Sequence, residues 1–124
     1  MNNLYFKASD SNPEVNFNLD GNLSLKGEAF PEDTATIFDP MIYWIKRLKV
    51  ENVNLSLNLI HCNTAVLKQL FDVLFSLQEN KEIQKTNIKW FYEESDLDSL
   101  ETGMIYSETL KELSFKFCEY ANAS

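Results

Sequence analysis

The sequence has very little glycine or proline, with three residues of each among 124. Flexible interdomain linkers are usually rich in these residues, so their scarcity favours one domain over residues 1–124. A hydrophobic content of 44% is enough to build a buried core at this length. No apolar run approaches the roughly 18 residues needed to cross a bilayer. The N-terminus also lacks the charged and apolar regions of a secretory signal. Together these absences predict a folded cytoplasmic protein without membrane insertion.

Cysteine and histidine are equally scarce. The two cysteines, Cys62 and Cys118, show no CxxC spacing, and His61 is the only histidine. Such a pattern argues against a disulfide framework and favours a reducing compartment. One histidine and two distant cysteines do not form a zinc ligand set, and no DxDxDG calcium loop is present. We therefore expect no metal site in this chain.

The common sequence signatures of catalysis and nucleotide binding are missing. The chain has no GxGxxG, no GxxxxGK[ST] and no GxSxG segment. If strand geometry continues through His61 and Cys62, their side chains point to opposite faces and cannot form a nucleophile–base pair. The sequence thus predicts a protein that is not an enzyme. A small enzyme or ligand-binding domain that uses these two residues is the minor alternative.

Basic residues are few. The chain has 11 of them against 19 acidic residues, and its net charge is −8. Such a chain repels nucleic acid and anionic membranes. The acid is concentrated in the segment EESDLDSLE, residues 93–101, which contains no basic residue. Its five carboxylates are Glu93, Glu94, Asp96, Asp98 and Glu101. A solvated loop or helix face explains them, and a docking patch for a basic partner is the alternative.

Alternating polar and apolar residues predict the strands. The most secure pair is a hairpin over residues 14–30, with Leu19 facing the core and a type I′ turn at Asp20-Gly21. Further strands are predicted at residues 52–60 and 86–94. Two weaker candidates cover residues 4–8 and 113–117.

Helical periodicity predicts the remaining elements. One helix lies within residues 31–49, begins at an Asp33 or Thr34 cap, and should carry Pro40 in its first turn or at a kink. A second helix lies within residues 64–80, and its apolar stripe is Leu67, Leu70, Phe71, Leu74 and Leu77. Gly103 is expected to interrupt any third helix. Because strands alternate with helices after the hairpin, the predicted fold class is α/β, with a single mixed sheet and helices packed against it.

The junction between the second clear strand and its helix reads His-Cys-Asn-Thr. Asn63 and Thr64 are both good N-cap residues, so one can cap the helix while the other is incidental. The same position also suits phosphorylation, because a phosphate at a helix N-terminus meets unpaired N–H groups and the positive end of the dipole. Lys68, one turn later, either helps to position such a phosphate or is a solvated helix residue.

Three segments together resemble the SiaC-type regulatory phosphoproteins. They are GNLSLKGEAFPED at residues 21–33, NTAVLK at residues 63–68 and IKWFYEESD at residues 88–96. This bacterial single-domain family is distantly similar to the STAS-domain antagonists of anti-sigma factors. The resemblance covers about residues 12–117 and implies a STAS-like mixed sheet flanked by helices.

The resemblance also implies a function. The residue after the junction asparagine Asn63 is the family's phosphoacceptor, which places that role on Thr64. Family members often carry a second hydroxyl at the next position, and Ala65 removes it here. A serine/threonine kinase would phosphorylate Thr64 and a PP2C-like phosphatase would reverse the reaction. The unphosphorylated form would bind an effector, in the best-known branch a diguanylate cyclase, in cyclic-di-GMP signalling and biofilm regulation.

Nucleotide and Mg²⁺ would belong to the kinase, so the resemblance implies no cofactor in this chain. The alternative function is a constitutive protein-binding module of the same fold. In that module Thr64 is only a helix cap, and the acidic segment at residues 93–101 makes the contact.

Overall fold

A computed structural model describes residues 1–121 of the chain, and residues 122–124 of the predicted domain lie outside the described part. The described residues form six strands and three helices. The strands are β1 (Leu4–Phe6), β2 (Glu14–Phe17), β3 (Asn22–Glu28), β4 (Asn52–Ile60), β5 (Lys85–Glu93) and β6 (Ser114–Tyr120). The helices are α1 (Thr34–Arg47), α2 (Thr64–Glu79) and α3 (Leu97–Thr109).

The strands form one mixed sheet in the order β1-β2-β3-β4-β5-β6. The first three strands pair antiparallel, because short loops connect them. From β3 to β6 each strand pairs parallel with the next, and a helix makes each connection. The predicted mixed sheet with an N-terminal hairpin is confirmed, and the two weaker strand candidates are β1 and β6.

The two faces of the sheet differ in polarity. Strand register aligns Leu25 with Leu57, Leu57 with Trp90 and Trp90 with Phe117, so apolar side chains share one face. The helices pack on this face. The core they complete includes Phe17, Leu55 and Ile88 from the sheet, Phe38, Met41 and Ile45 from α1, and Leu70, Leu74 and Leu77 from α2. On the opposite face, register aligns Ser24, Ser56, Lys89 and Lys116.

The turn of the hairpin differs from its prediction. The Gly21 N–H donates to the Asn18 carbonyl at 3.0 Å, and the four residues between β2 and β3 form this turn. A type I′ turn needs positive φ at both central residues, whereas Gly21 alone has it in this turn, at 98°. The type I′ prediction is therefore wrong. Leu19 is 40% exposed instead of facing the core, because β2 ends before it and the alternation stops there.

Helix α1 begins where Asp33 caps it by accepting a hydrogen bond from the Ala35 N–H at 3.1 Å. Pro40 lies inside α1, beyond the first turn, so its predicted first-turn position is wrong. A proline at this point removes the N–H that would bond to the Thr36 carbonyl. Thr36 is exposed, so water can solvate that carbonyl.

The stripe predicted for α2 is only partly correct. Leu70, Leu74 and Leu77 are buried as expected, whereas Leu67 and Phe71 are half-buried at its edge. Val66 and Val73 are buried and complete the stripe, which is rotated toward them. The rotation leaves Leu67 and Phe71 facing α3 and its neighbourhood, where Phe71 packs edge-on against Tyr106.

Helix α3 runs without a break through Gly103, so the predicted interruption is wrong. A Cβ atom on Gly103 would lie 2.7 Å from Phe117 Cε1 and 2.8 Å from Trp90 Cε2. Glycine is required here because the helix backbone approaches these two aromatic side chains too closely for any larger residue. The glycine therefore serves packing, at a cost in helix propensity of about 1 kcal/mol.

Candidate functional site

The junction between β4 and α2 is capped by asparagine. Asn63 has an extended backbone, with φ −85° and ψ 170°, and its Oδ1 accepts a hydrogen bond from the Val66 N–H at 2.8 Å. The Asn63 carbonyl accepts from the Leu67 N–H at 3.1 Å and starts the helical ladder. Thr64 is the first residue of α2, and the alternative in which it serves as the helix cap is wrong.

The Thr64 side chain is exposed and has no structural task in the capping of α2. The N–H groups of Thr64 and Ala65 belong to the first helical turn, where no carbonyl inside the helix can receive them. Unpaired donors of this kind, together with the positive end of the helix dipole, favour an anion near the start of a helix. The junction thus offers an accessible hydroxyl beside a surface that favours an anion.

The end of β3 holds this junction in place. The Ala29 N–H donates to the Ile60 carbonyl at 3.0 Å, and the Asn63 N–H donates to the Ala29 carbonyl at 3.4 Å. His61 Nδ1 lies 2.6 Å from Glu28 Oε2. These three contacts fix the chain on both sides of the turn that leads into α2.

His61 makes that turn with a left-handed backbone at φ 54°. The expectation that strand geometry continues through His61 and Cys62 is therefore wrong, because β4 ends at Ile60. The His61 side chain is 74% exposed and contacts Glu28, whereas Cys62 is half-buried against the core. Histidine is one of the residues enriched in left-handed conformations, which is the signal that the sequence offered for this turn.

Cys62 is not suited to nucleophilic chemistry. Burial, followed by the negative charges of Asp96 and Glu28, raises the pKa of its thiol to about 11. The thiolate is the reactive form, so Cys62 is an inert thiol at neutral pH. This argues against the minor alternative of an enzyme that uses His61 and Cys62.

Cys62 borders a cleft of about 280 Å³ between the first turns of α2 and α3. The cleft is largely apolar, and its walls include Leu57, Leu59, Leu67, Leu70 and Trp90. Trp90 Nε1 donates to Ser99 Oγ at 3.1 Å, and Asp96 and Asp98 lie at the α3 side. Sequence reasoning missed this cleft, because its walls come from separate elements that only the tertiary fold brings together.

The acidic segment is divided between structural and free carboxylates. Glu93 ends β5 and accepts a hydrogen bond from the Ser95 hydroxyl at 2.5 Å. Asp96 caps α3 by accepting from the Ser99 N–H at 3.1 Å. Asp96 is nevertheless exposed, as are Glu94, Asp98 and Glu101, whereas Glu93 is half-buried. A docking role for the five carboxylates stays a prediction.

Lys68 is exposed on α2, one turn after Thr64. Among residues 1–121 the one contact within 4 Å between a carboxylate and a histidine, lysine or arginine is that of Glu28 with His61, so Lys68 has no acidic partner there. Its contact with a phosphate on Thr64 stays a prediction.

Within the same described range, no group of three or more His, Cys, Asp or Glu residues is arranged to hold a metal ion. None of the three helices is long and apolar enough to cross a membrane, as far as the described chain extends.

Known structures resemble this fold closely. The structure of SiaC of Pseudomonas aeruginosa superposes with a TM-score of 0.79 at 25% sequence identity, covering 98% of this chain and 100% of that one. A second structure, of the diguanylate cyclase SiaD in complex with its activator SiaC from the same organism, matches with a TM-score of 0.77. That match has 25% identity and covers 96% of this chain and 99% of the other.

Sequence comparison agrees. An uncharacterized protein of Pseudomonas aeruginosa strain UCBPP-PA14 is 25% identical over 127 aligned residues, covering 98% of each chain. The family model described as SiaC family regulatory phosphoprotein matches residues 6–120. These matches confirm the predicted α/β fold and the predicted class of regulatory protein rather than enzyme. The chain belongs to the SiaC family of regulatory phosphoproteins.

Proposed function

We propose that this chain is a partner switch in which reversible phosphorylation of Thr64 controls binding to an effector. The observation that carries the proposal is the exposed Thr64 side chain at the first position of α2, where Asn63 already caps the helix. A kinase can modify a hydroxyl in this position without removing a bond that the fold needs.

The phosphorylated state would keep the fold. A phosphate adds a charge of about −1.5 to −2 near pH 7. At Thr64 it lies beside the unpaired N–H groups of the first turn of α2 and at the positive end of the helix dipole. The cap made by Asn63 and the contacts of the junction with Glu28 and Ala29 do not involve the modified oxygen. The modification therefore changes the surface and leaves the packing intact.

The proposed effector is a diguanylate cyclase. The support is the solved complex in which a relative, SiaC of Pseudomonas aeruginosa, is the activator of the diguanylate cyclase SiaD. The proposed modifying enzymes are a serine/threonine kinase related to the anti-sigma-factor kinases and a PP2C-like phosphatase, and they rest on the family resemblance. The kinase would bring ATP and Mg²⁺, and the switch would operate in the cytoplasm.

The surface beside Thr64 explains how a phosphate would oppose binding. Ile60 is 37% exposed and Ala65 is exposed, so the junction presents some apolar surface next to the exposed side chains of His61 and Lys68. A partner packed on this surface would have to remove water from the phosphate. A desolvation cost of about 3 kcal/mol lowers affinity roughly a hundredfold. The switch then needs no large conformational change in this chain.

Thr34 provides a matched control for the acceptor site, because it is also the first residue of a helix and follows a capping residue, Asp33. The purified chain, Thr64→Ala and Thr34→Ala would each be incubated with the host's kinase of the anti-sigma-factor type and Mg-ATP. Intact-mass analysis would count the phosphoryl groups, and peptide mapping would locate them. We expect one group on the unmodified sequence and on Thr34→Ala, and none on Thr64→Ala. Equal labelling of Thr64→Ala would contradict the assignment of the acceptor.

A further inference from the structure

The outward surface of α3 is unusually apolar for a helix face that meets water. Leu97 is 64% exposed, Met104 is 47% exposed and Ile105 is 52% exposed. Exposed apolar residues scattered singly are normal on proteins, but several of them on one side of a single helix point to an interaction surface. These three residues lie on one helix of 13 residues, so this helix is a candidate interaction surface.

Helical geometry places the three residues together. At about 100° per residue, Leu97 and Met104 lie about 20° apart around the axis, and Ile105 lies about 80° from Leu97. Glu101 and Glu108 fall between them, at about 40° and 20° from Leu97. We call the set Leu97, Glu101, Met104, Ile105 and Glu108 the outer face of α3. All five residues are exposed.

The opposite side of α3 makes the contacts that fix the helix. Gly103 is buried against Trp90 and Phe117. The Tyr106 ring packs edge-on against Trp90, and its hydroxyl donates to the Leu67 carbonyl at 2.6 Å. Since these contacts hold α3 on the sheet, the outer face is not needed for the fold.

The charge of α3 indicates the chemistry of the surface that would bind it. The helix contains Asp98, Glu101 and Glu108 and no lysine or arginine between Leu97 and Thr109. In most surface helices, residues of both signs are interspersed and offset one another. Here uncompensated carboxylates stand within and beside an apolar stripe, so the complementary surface is apolar with basic residues around it.

We infer that the outer face of α3 docks an amphipathic helix of the effector. This inference rests on the proposed function and adds the surface at which the effector binds. That helix carries an apolar stripe flanked by lysine or arginine. Leu97, Met104 and Ile105 would pack against the stripe, while Glu101 and Glu108 would pair with the basic side chains. Helix recognition of this kind uses apolar anchors spaced at three and four residues on both partners.

The outer face lies beside the cleft that separates α3 from the start of α2. The cleft is lined on the α3 side by Asp98, Ser99 and Thr102, which lie about 100° to 200° around the helix axis from Leu97. The outer face is therefore next to the cleft and does not run into it. A partner that covers both would gain affinity from the outer face and would meet a phosphate on Thr64 at the junction beyond the cleft.

The test uses two double variants of the outer face and a matched control. One variant is Glu101→Lys with Glu108→Lys, and the other is Leu97→Ser with Met104→Ser. The control is Glu79→Lys with Glu82→Lys, which makes the same charge change at two exposed sites outside α3. Binding to the purified diguanylate cyclase of the host would be measured by calorimetry at low and high salt. Thermal unfolding of every variant would establish that it is folded.

We expect both outer-face variants to lose about tenfold or more in affinity and the control to change by less than about threefold. Wild-type binding should weaken as salt rises. Unchanged affinity of folded outer-face variants, or tighter binding after charge reversal, would overturn the inference. Sedimentation that shows a dimer dissociated by the same variants would also overturn it, because the occupant would be a second copy. Loss of binding in the outer-face variants would support the docking face even if the phosphorylated and unmodified chains bound equally. Equal binding of those two chains would contradict only the Thr64 switch.

Discussion

The Val66 N–H donates a hydrogen bond of 2.8 Å to Asn63 Oδ1, and this bond frees the Thr64 hydroxyl from any part in capping α2. Two adjacent residues with similar capping ability thus have different tasks. Asn63 stabilises the start of the helix, and Thr64 presents its side chain to solvent. A modification at Thr64 and the stability of α2 are therefore separable.

Alanine substitution should reveal this separation. We expect Asn63→Ala to lower the free energy of unfolding by about 0.5 to 2 kcal/mol, because the Val66 N–H loses its acceptor. Thr64→Ala should change it by less than about 0.5 kcal/mol, as is usual for an exposed residue without a structural bond. Urea unfolding of the two variants and the wild type would measure both values. A loss in Thr64→Ala as large as that in Asn63→Ala would contradict the assigned cap.

The left-handed turn at His61 yields a second prediction. The His61–Glu28 contact is largely solvent-exposed, so its contribution to stability is small, about 0 to 1 kcal/mol. The backbone requirement at φ 54° is the larger effect. We expect His61→Val to be less stable than His61→Gly by about 1 to 2 kcal/mol, since a β-branched residue is strained there while glycine is not. Both variants lose the contact with Glu28, so their difference in urea unfolding isolates the backbone term. Equal stabilities would show that the turn does not depend on φ at this residue.

The sequence allowed the order of the elements to be predicted because each has a clear period. Alternation along β4, as in Val53, Leu55 and Leu57, identifies a strand with one buried face. Helical spacing in α2 identified Leu70, Leu74 and Leu77 as core residues. Such local patterns are sufficient for secondary structure and for the position of the junction.

Long-range contacts explain what the sequence could not show. The helix break expected at Gly103 fails because Trp90 and Phe117 pack where a Cβ would lie. The contact of His61 with Glu28 joins residues 33 apart in the chain. Asn63 and Thr64 were equally good caps by residue type, and only the geometry of α2 distinguished them.

Gly103 provides a third prediction, in which packing opposes helix propensity. Gly→Ala in a helix normally stabilises by about 1 kcal/mol. At Gly103 the added Cβ would meet the rings of Trp90 and Phe117 at 2.7 to 2.9 Å, and overpacking of this kind costs about 1 to 3 kcal/mol. We expect Gly103→Ala to be the less stable protein in urea. Glu101→Ala, an exposed change in the same helix, is the control and should alter stability by less than about 0.5 kcal/mol. Stabilisation by Gly103→Ala would contradict the close packing.

Cys62 provides a fourth prediction, on pH. Burial raises the pKa of its thiol from 9.0 to about 11, so the folded state disfavours the thiolate relative to the unfolded chain. The resulting contribution to stability is complete below pH 9 and is lost as pH rises toward about 11. The wild type should therefore lose stability more steeply than Cys62→Ser across this range, by about 2 to 3 kcal/mol in total. Urea unfolding at several pH values would measure the difference. Parallel pH profiles would show that the thiol is hydrated in the folded protein.

In the proposed function, a phosphate on Thr64 switches effector binding. A titration would compare the affinity of the host's diguanylate cyclase for the unmodified chain, the chain phosphorylated on Thr64, and Thr64→Ala. We expect tight binding of the unmodified chain and of Thr64→Ala, and affinity lower by about a hundredfold or more for the phosphorylated chain. Equal affinity of the phosphorylated and unmodified chains would contradict the switch and leave the protein as a constitutive binding module.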